Sequence, residues 1–298
     1  MRRSPDSVET ALGFRADLAI AMTTTPVPIV LLAAGLGSRF GGVKPLAPVG
    51  PDHEALLVLS LDQAKRAGFT EAVIVVGPLT RDAIVSALTN PPIPVSFADQ
   101  VGRDGRDGRA GKPWGTVDAL ASTGHNGPLV VANGDDLYGV VALADAFAAT
   151  QRSDIDGAAV MFPVGRTLSG IGGVSRAEPV VDEDGLLRAL TERRGVELVD
   201  GVIADGTGHV MEGDAAVSMN LWAFRPAAVD ALRDLGRGFR EQHRDDAEAE
   251  LGLPDAIGRL VSSGQLRISV TVTDSTWHGV TFADDVEKVR AELIADGW

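Results

Sequence analysis

Short apolar runs that alternate with helical stretches constrain the fold of this chain more than any other feature. The first run, residues 29–34, reads IVLLAA, and a continuous run of this length is typical of a strand buried on both faces. Similar strands are predicted at 72–77, 95–98 and 129–132, with helices at 54–67, 80–88, 115–122 and 140–150. The alternation predicts βαβ units. We therefore expect an α/β fold with a Rossmann-like, mainly parallel sheet and helices on both faces.

The pattern changes after residue 157. Asp-Gly pairs at 184–185, 200–201 and 205–206 interrupt short β-like runs and indicate hairpins. Strands are also predicted at 158–163, 215–224 and 267–273, and helices within 227–264 and at 283–295. We expect one domain over residues 27–298, made of the halves 27–156 and 157–298, the second rich in β-hairpins.

Residues 1–26 are predicted to be a flexible N-terminal extension. Arg2 and Arg3 resemble the start of a secretory signal, but Asp6, Glu9 and Asp17 interrupt the stretch that would have to be apolar. The segment GRDGRDGRAG at 102–111 is too polar and too rich in glycine to order itself, so we expect a flexible surface loop there.

The composition excludes several classes of function. The chain has 298 residues, 27 basic against 41 acidic side chains, and a net charge of −14, which disfavours nucleic acid and anionic membranes as partners. It has no cysteine, so disulfides, thiolate metal sites and a cysteine nucleophile are excluded, and a cytoplasmic location is expected. No apolar run approaches the roughly 20 residues of a membrane span. Lysine is scarce, which makes Lys44 notable.

Lys44 lies in a glycine-rich loop, AAGLGSRFGGVKP at 33–45, directly after the first predicted strand. Small residues let backbone N–H groups approach a phosphate closely, and open α/β sheets bind ligands at the carboxyl ends of their strands. Arg39 and Lys44 add two cations. Phe40 replaces the third glycine of the dinucleotide fingerprint, and no G-K-[ST] follows, so neither of those phosphate motifs is present.

The segment LLAAGLGSRFGGVKP resembles the signature L-A-A-G-x-G-x-R-x-x-x-x-K-P of nucleotidyltransferases that join a nucleoside triphosphate to a sugar phosphate or a similar anion. Further segments are similar to that family's motifs in register, from about residue 29 to the C-terminus. They are Asp99-Gln100, the G-T helix start at Gly115-Thr116, the strand end ANGDDLYG at 132–139, Glu192-Arg193-Arg194, the strand VSMNLWAF at 217–224, and 277–286.

The resemblance implies a role for each matching residue. Arg39, Lys44 and Asp135 would be catalytic, and Asp135 would hold Mg²⁺, the expected cofactor. The nucleotide-binding half, 27–156, would contact the triphosphate and its base through Ala33, Ala34, Gly35, Gly37, Gln100, Gly115 and Thr116. The sugar-phosphate-binding half is 157–298. The sugar phosphate would contact Tyr138, Gly139, Glu192, Arg193 and Asn220, with Arg193 or Arg194 in place of the family's lysine. The substrates would be a nucleoside triphosphate and a sugar-1-phosphate. The sequence leaves open whether the chain forms a homo-oligomer.

One position departs from the family pattern. The second metal-binding aspartate of the family falls at Gly279, in a register anchored by Trp277 and Asp285. Asp284 is five residues further on, at a predicted helix start, where an acidic residue favours the helix dipole in any case. We therefore expect Asp135 to be the chief protein ligand of the metal.

Three other functions stay open at this point. The short interval from Arg39 to Lys44 also resembles enzymes of the same superfamily that act on molybdopterin or methylerythritol phosphate. A glycosyltransferase would use Asp135-Asp136 as a metal site for a nucleotide sugar, although it needs no triphosphate loop. A non-catalytic nucleotide-sugar-binding protein would explain Gly279. Release of pyrophosphate distinguishes the nucleotidyltransferases from the last two.

Overall fold

The computed structural model describes residues 26–35, 40–102, 112–280 and 282–298. The predicted N-terminal extension, apart from Pro26, lies outside these residues, as do Gly37, Arg39 and most of the predicted loop at 102–111. In the first half the elements are β1 (Ile29–Ala33), α1 (Leu56–Arg66), β2 (Ala72–Val76), α2 (Arg81–Ala87), β3 (Val95–Asp99), α3 (Thr116–Ser122), β4 (Leu129–Asn133), β5 (Asp136–Leu137) and α4 (Val140–Ala149).

Strands β1 to β4 form a parallel sheet in the order β4-β1-β2-β3. Side chains of a strand alternate between its two faces. Accordingly, Ile29 and Leu31 of β1 pack in one core with α1 and α4, whereas Val30 packs in the other with α3. This burial on both faces is the reason for the continuous apolar runs. The predicted α/β class is confirmed.

The second half extends the same sheet, mainly with antiparallel strands. Its elements are β6 (Gly157–Pro163), β7 (Val174–Val181), β8 (Leu187–Val199), β9 (Val202–Ala204), β10 (Val210–Met211), β11 (Ala216–Phe224), α5 (Pro226–Gln242), α6 (Leu253–Ser262), β12 (Ile268–Val272), β13 (His278–Gly279) and α7 (Asp285–Ala295). Strand β11 pairs with β4, β6 and β7, and the order continues β7-β8-β9-β10. The three Asp-Gly pairs lie in the turns after β7, β8 and β9, as predicted.

A β-bulge interrupts β11 where its neighbour on one side changes from β7 to β4. The register with β6 shifts between Ser218 and Leu221, and Asn220 within this shift has φ 64°. Asparagine tolerates the left-handed region better than most residues. The bulge turns the side chain of Asn220 toward the carboxyl end of β4, where the candidate site lies.

None of the helices in the described part of the chain combines the length and apolar character needed to cross a membrane.

Candidate active site

The carboxyl ends of β1 and β4 lie side by side and bring the first residues after β1 next to the predicted metal-binding turn. Leu32 of β1 is paired with Asn133 of β4, and the Gly134 N–H donates to the Leu32 carbonyl over 2.9 Å. A Cβ added at Gly134 would lie 3.0 Å from that carbonyl oxygen, so the close approach favours glycine. Because of this pairing, the end of β1 at Ala33, with Ala34 and Gly35 after it, lies next to the turn that carries Asp135.

Lys44 and Asp135 meet across this junction, although they are 91 positions apart in the chain. Lys44 begins a short 3-10 turn, Lys44–Leu46, with Pro45 at its second position. Its Nζ lies 3.3 Å from Asp135 Oδ2, and the two side chains are 19% and 29% exposed. The pair is therefore accessible to a ligand, and both charges lie where the loop and the turn converge.

Asp136, the next residue, is buried and has a different environment. It belongs to β5, which pairs with β13 so that Gly279 lies opposite Asp136. Burial, followed by the charge of Asp135, raises the pKa of Asp136 to about 7, while a hydrogen bond from Asn133 opposes the rise. The two consecutive aspartates are thus unequal, since the side chain of Asp135 is partly exposed and that of Asp136 is buried.

Gly279 leaves no space for a side chain. A Cβ at this position would lie 2.5 Å from Asp136 Oδ1 and 2.2 Å from the indole carbon Cζ2 of Trp277. The position of the family's second aspartate is therefore filled in this chain by the ring of Trp277 and the carboxylate of Asp136. Asp284 is exposed at the residue before α7 and does not line the cavity beside Asp135.

A hydrogen-bonded network holds Asp136 in place. Asn133 Nδ2 donates to Asp136 Oδ2 over 2.8 Å, and Asn220 Nδ2 donates to Asn133 Oδ1 over 2.8 Å. The Trp222 indole N–H in turn donates to Asn220 Oδ1 over 2.9 Å. The Tyr138 hydroxyl donates to the Met219 carbonyl over 2.8 Å and accepts from the Asn133 N–H over 3.0 Å. The network joins β4, β5 and β11 and orients the turn that carries Asp135.

A cavity of about 220 Å³ opens at this junction, and Lys44, Asp135, Asp136 and Asn220 line it. Glu192 of β8 lines it as well, so the structure brings two predicted sugar-binding residues to the predicted metal site. The cavity combines carboxylates, cations and amides and is walled on one side by Trp277. This donor set suits a polar, phosphate-bearing ligand.

Three residues predicted at the sugar phosphate do not line this cavity. Tyr138 is only 2% exposed and packs in the core between β4 and β11, so its hydroxyl orients the network and does not face the cavity. Gly139 is the residue before α4, and its N–H donates to Gln63 Oε1. Arg193 is held away from the cavity, since its Nε donates to Glu178 over 2.8 Å and its Nη1 lies 3.7 Å from Asp205.

The predicted base-binding residues form a separate group at the end of β3. Gln100 is buried, and its Nε2 donates to the Gly115 carbonyl over 3.0 Å and to Asp118 Oδ2 over 3.2 Å. Thr116 accepts a hydrogen bond at Oγ1 from the N–H of Leu253, at the start of α6. A Cβ at Gly115 (φ 98°) would lie 2.4 Å from the Leu251 carbonyl. The structure therefore brings Gln100, Gly115 and Thr116 together, apart from the 220 Å³ cavity.

Arg176 of β7 also lines the cavity, and no sequence pattern pointed to it. Its guanidinium carbon lies 5.4 Å from the ring centre of Trp277. Burial lowers the pKa of Arg176 to about 10, and the nearby carboxylate of Asp136 opposes this shift. Arg176 occurs in a hairpin-rich stretch where the sequence shows turns but no binding motif, and only pairing with β8 and β11 brings it to the site.

The described residues contain no group of three or more His, Asp or Glu side chains arranged to hold a metal ion. Asp135 nevertheless fits a magnesium ion bound together with a phosphate ligand. Mg²⁺ is a hard cation that keeps several waters and takes one or two protein carboxylates, with phosphate oxygens as its other ligands. Asp135 is the accessible carboxylate at the end of β4, and it lies beside the loop expected to hold the triphosphate.

Comparison with known proteins agrees with this arrangement. The sequence profile of the MobA-like NTP transferase domain family matches residues 29–195, which is more than half of the chain, so the chain belongs to this family and is a nucleotidyltransferase. The predicted resemblance is thereby confirmed. No curated protein sequence matches the chain.

Solved structures with the same fold include the inositol-1-phosphate CTP transferase from T. maritima, which is 13% identical with a TM-score of 0.59, covering 91% of this chain and 97% of that one. HddC from Yersinia pseudotuberculosis is 15% identical with a TM-score of 0.59, covering 90% and 99%. A second HddC structure, complexed with GMP-PN, is 14% identical with a TM-score of 0.58 and the same coverage.

Proposed function

We propose that this nucleotidyltransferase transfers a nucleoside monophosphate from a nucleoside triphosphate to a sugar-1-phosphate in a Mg²⁺-dependent reaction. The observation that carries the proposal is the junction of Lys44 and Asp135 at the carboxyl ends of β1 and β4, beside a cavity lined by Glu192 and Asn220. A phosphate-binding loop, a metal-binding carboxylate and groups that hydrogen-bond hydroxyls are the parts that this reaction needs.

In the proposed reaction, a phosphate oxygen of the sugar-1-phosphate attacks the α-phosphorus of the triphosphate. A new P–O bond forms, the bond between the α-phosphorus and the bridging oxygen to the β-phosphorus breaks, and pyrophosphate leaves with that electron pair. No covalent enzyme intermediate is needed, so the protein contributes positioning and charge stabilisation. Mg²⁺, when bound at Asp135, would neutralise phosphate charge.

Lys44 is proposed to act on the triphosphate. In the structure its ammonium group is 3.3 Å from Asp135, which holds it at the junction before a substrate arrives. Arriving phosphate oxygens would compete with Asp135 for the ammonium group and leave that carboxylate to the metal. Together with Arg39 and the backbone of Ala33, Ala34, Gly35 and Gly37, Lys44 would then stabilise charge that grows on the leaving pyrophosphate.

The two halves are proposed to divide the substrates. The half from 27 to 156 would hold the nucleotide, with Gln100, Gly115 and Thr116 at the base, and the half from 157 to 298 would hold the sugar phosphate through Glu192 and Asn220. Strands from both halves belong to one continuous sheet, which supports treating 27–298 as one domain. A reaction that consumes a nucleoside triphosphate also fits the cytoplasm.

The test is a release assay for pyrophosphate. The four ribonucleoside triphosphates are combined with a panel of hexose-1-phosphates and inositol-1-phosphate, with and without MgCl₂. The proposal predicts release only when triphosphate, a phosphate acceptor from the panel and Mg²⁺ are all present. Sugar transfer from a nucleotide sugar without pyrophosphate release under any triphosphate would contradict it and indicate a glycosyltransferase.

A further inference from the structure

Arg176 differs from Arg193 and Arg194 because the groups that accept its hydrogen bonds carry no negative charge. Its Nε donates to Thr167 Oγ1 over 3.0 Å, one Nη donates to the Thr167 carbonyl, and the other donates to the Ser175 carbonyl over 2.7 Å. These partners are all neutral oxygens, and within the described residues no carboxylate lies within ion-pair distance of Arg176. Its positive charge is thus held firmly in place but not neutralised by a direct contact.

An uncompensated cation in a partly buried position is costly unless a ligand supplies the counter-charge. Asp136 lowers that cost at longer range, since its carboxylate acts on Arg176 through space, but the hydrogen bond that its carboxylate accepts comes from Asn133. A guanidinium has five N–H donors, and three are used by Thr167 and Ser175. These bonds leave two N–H donors, and the side chain of Arg176 lines the cavity.

The arginines expected at the sugar phosphate lack this freedom. Arg193 is bound to Glu178 and close to Asp205, and it does not line the cavity. Arg194 is 79% exposed, and its partner is Glu192. Of the described cations that line the cavity, Lys44 pairs with Asp135 on the nucleotide side, and Arg176 lies on the side of Asp136 and Trp277. The two cations therefore flank the consecutive aspartates.

We infer that Arg176 binds the phosphate group of the acceptor substrate, so that β7 supplies the cation which the sequence pattern assigns to Arg193. This inference rests on the proposed function. Lys44 would hold the triphosphate, Arg176 would hold the acceptor phosphate, and the attacking oxygen would lie between them. The stack of Arg176 on Trp277 and its three hydrogen bonds to Thr167 and Ser175 keep the guanidinium oriented before the substrate binds.

The experiment compares Arg176→Gln and Arg176→Lys with the wild-type enzyme, using the triphosphate and phosphate acceptor that give wild-type turnover. Loss of a charged hydrogen-bonding group is expected to raise KM for the acceptor about 10- to 100-fold in Arg176→Gln. Arg176→Lys keeps the charge but not the planar fork, so a smaller rise is expected. KM for the triphosphate should change less than about threefold. Arg188→Gln, on the exposed surface of β8, is the matched control.

The outcomes separate this inference from the proposed function. If the wild-type enzyme releases no pyrophosphate with any pair of substrates, the proposed function fails. If the wild-type enzyme is active and both Arg176 variants keep the wild-type KM for the acceptor, this inference alone is wrong. If KM for the acceptor rises instead in Arg193→Gln, Arg193 and not Arg176 binds the acceptor phosphate. If Arg176→Gln does not fold, Arg176→Lys decides the question by the same two KM values.

Discussion

Gly279 lies directly opposite Asp136 in the antiparallel pair of β5 and β13, and a Cβ at Gly279 would lie 2.5 Å from the Asp136 carboxylate oxygen. The same Cβ would lie 2.2 Å from the ring of Trp277. An aspartate at position 279 would therefore clash with Asp136 and Trp277, so substitution of Gly279 alone cannot complete a two-carboxylate metal site. The missing side chain is matched by the packing around it, and Asp135 is the carboxylate of the described turn that we propose as the metal ligand.

The first prediction concerns this close packing. Gly279→Ala should lower the free energy of unfolding by about 1–3 kcal/mol, because the new methyl group forces Trp277 or the β5–β13 pair to move. For a chain of this size the melting temperature should fall by roughly 2–10 °C. Calorimetry on Gly279→Ala measures this. Gly238→Ala, at a helical position of α5 with no atom within 4 Å of the added Cβ, is the control and should not be destabilised. An unchanged melting temperature in Gly279→Ala would contradict the packing described.

The second prediction concerns Lys44. Lys44→Ala should lower kcat about 10²- to 10³-fold, since it removes charge stabilisation at the departing pyrophosphate. The fold should be nearly unaffected, because a partly exposed ion pair contributes only about 0–1 kcal/mol. Single-turnover measurement of pyrophosphate release tests this, with the exposed Lys288→Ala as control. A Lys44→Ala enzyme with a normal chemical step would exclude Lys44 from catalysis. Arg39→Ala, outside the described residues, is expected to behave in the same way.

The third prediction separates the two candidate metal ligands. Asp135→Asn should abolish turnover at ordinary MgCl₂ concentrations without unfolding the protein, because the partly exposed carboxylate proposed to hold Mg²⁺ is lost. Asp284→Asn should change turnover less than about threefold, because Asp284 is exposed at the start of α7 and acts there on the helix dipole. Titration of both variants with MgCl₂ measures the effect. A hundredfold loss in Asp284→Asn with an unchanged melting temperature would mean that this residue supplies the second ligand.

The fourth prediction concerns stability against acid. A hydrogen bond from the Thr207 hydroxyl, burial acting in the opposite direction, and backbone N–H groups of Thr207 and His209 together lower the pKa of Asp205 to about 2. A carboxylate with a depressed pKa stabilises the folded state above its unfolded pKa of about 3.9 and loses this effect as the pH falls toward its folded pKa.

Asp205→Asn should therefore be less stable than the wild type by a constant amount above about pH 5, and the difference should shrink between about pH 4 and pH 2. Urea unfolding at a series of pH values measures it, with the exposed Asp214→Asn as control. A difference that stays constant down to pH 2 would show that the charge of Asp205 does not contribute.

Several parts of this protein follow from local sequence. The apolar runs of β1 to β4 predict buried parallel strands because each face of such a strand must be covered. The three Asp-Gly pairs predict the hairpin turns because those residues accept the backbone angles that the turns need. The position of the end of β1 beside the turn that carries Asp135 also follows, since the carboxyl ends of parallel strands meet at one edge of a sheet.

The tertiary structure alone decided which side chains of the second half face the cavity. Arg176 and Arg193 are paired across β7 and β8, yet Arg176 lines the cavity while Glu178 and Asp205 hold Arg193 elsewhere. Tyr138 packs in the core, and its hydroxyl is satisfied there by the carbonyl of Met219, 81 positions away. Strand register, bulges and ion pairs of this kind depend on contacts between residues far apart in the chain, whereas periodicity and turn chemistry depend on neighbours.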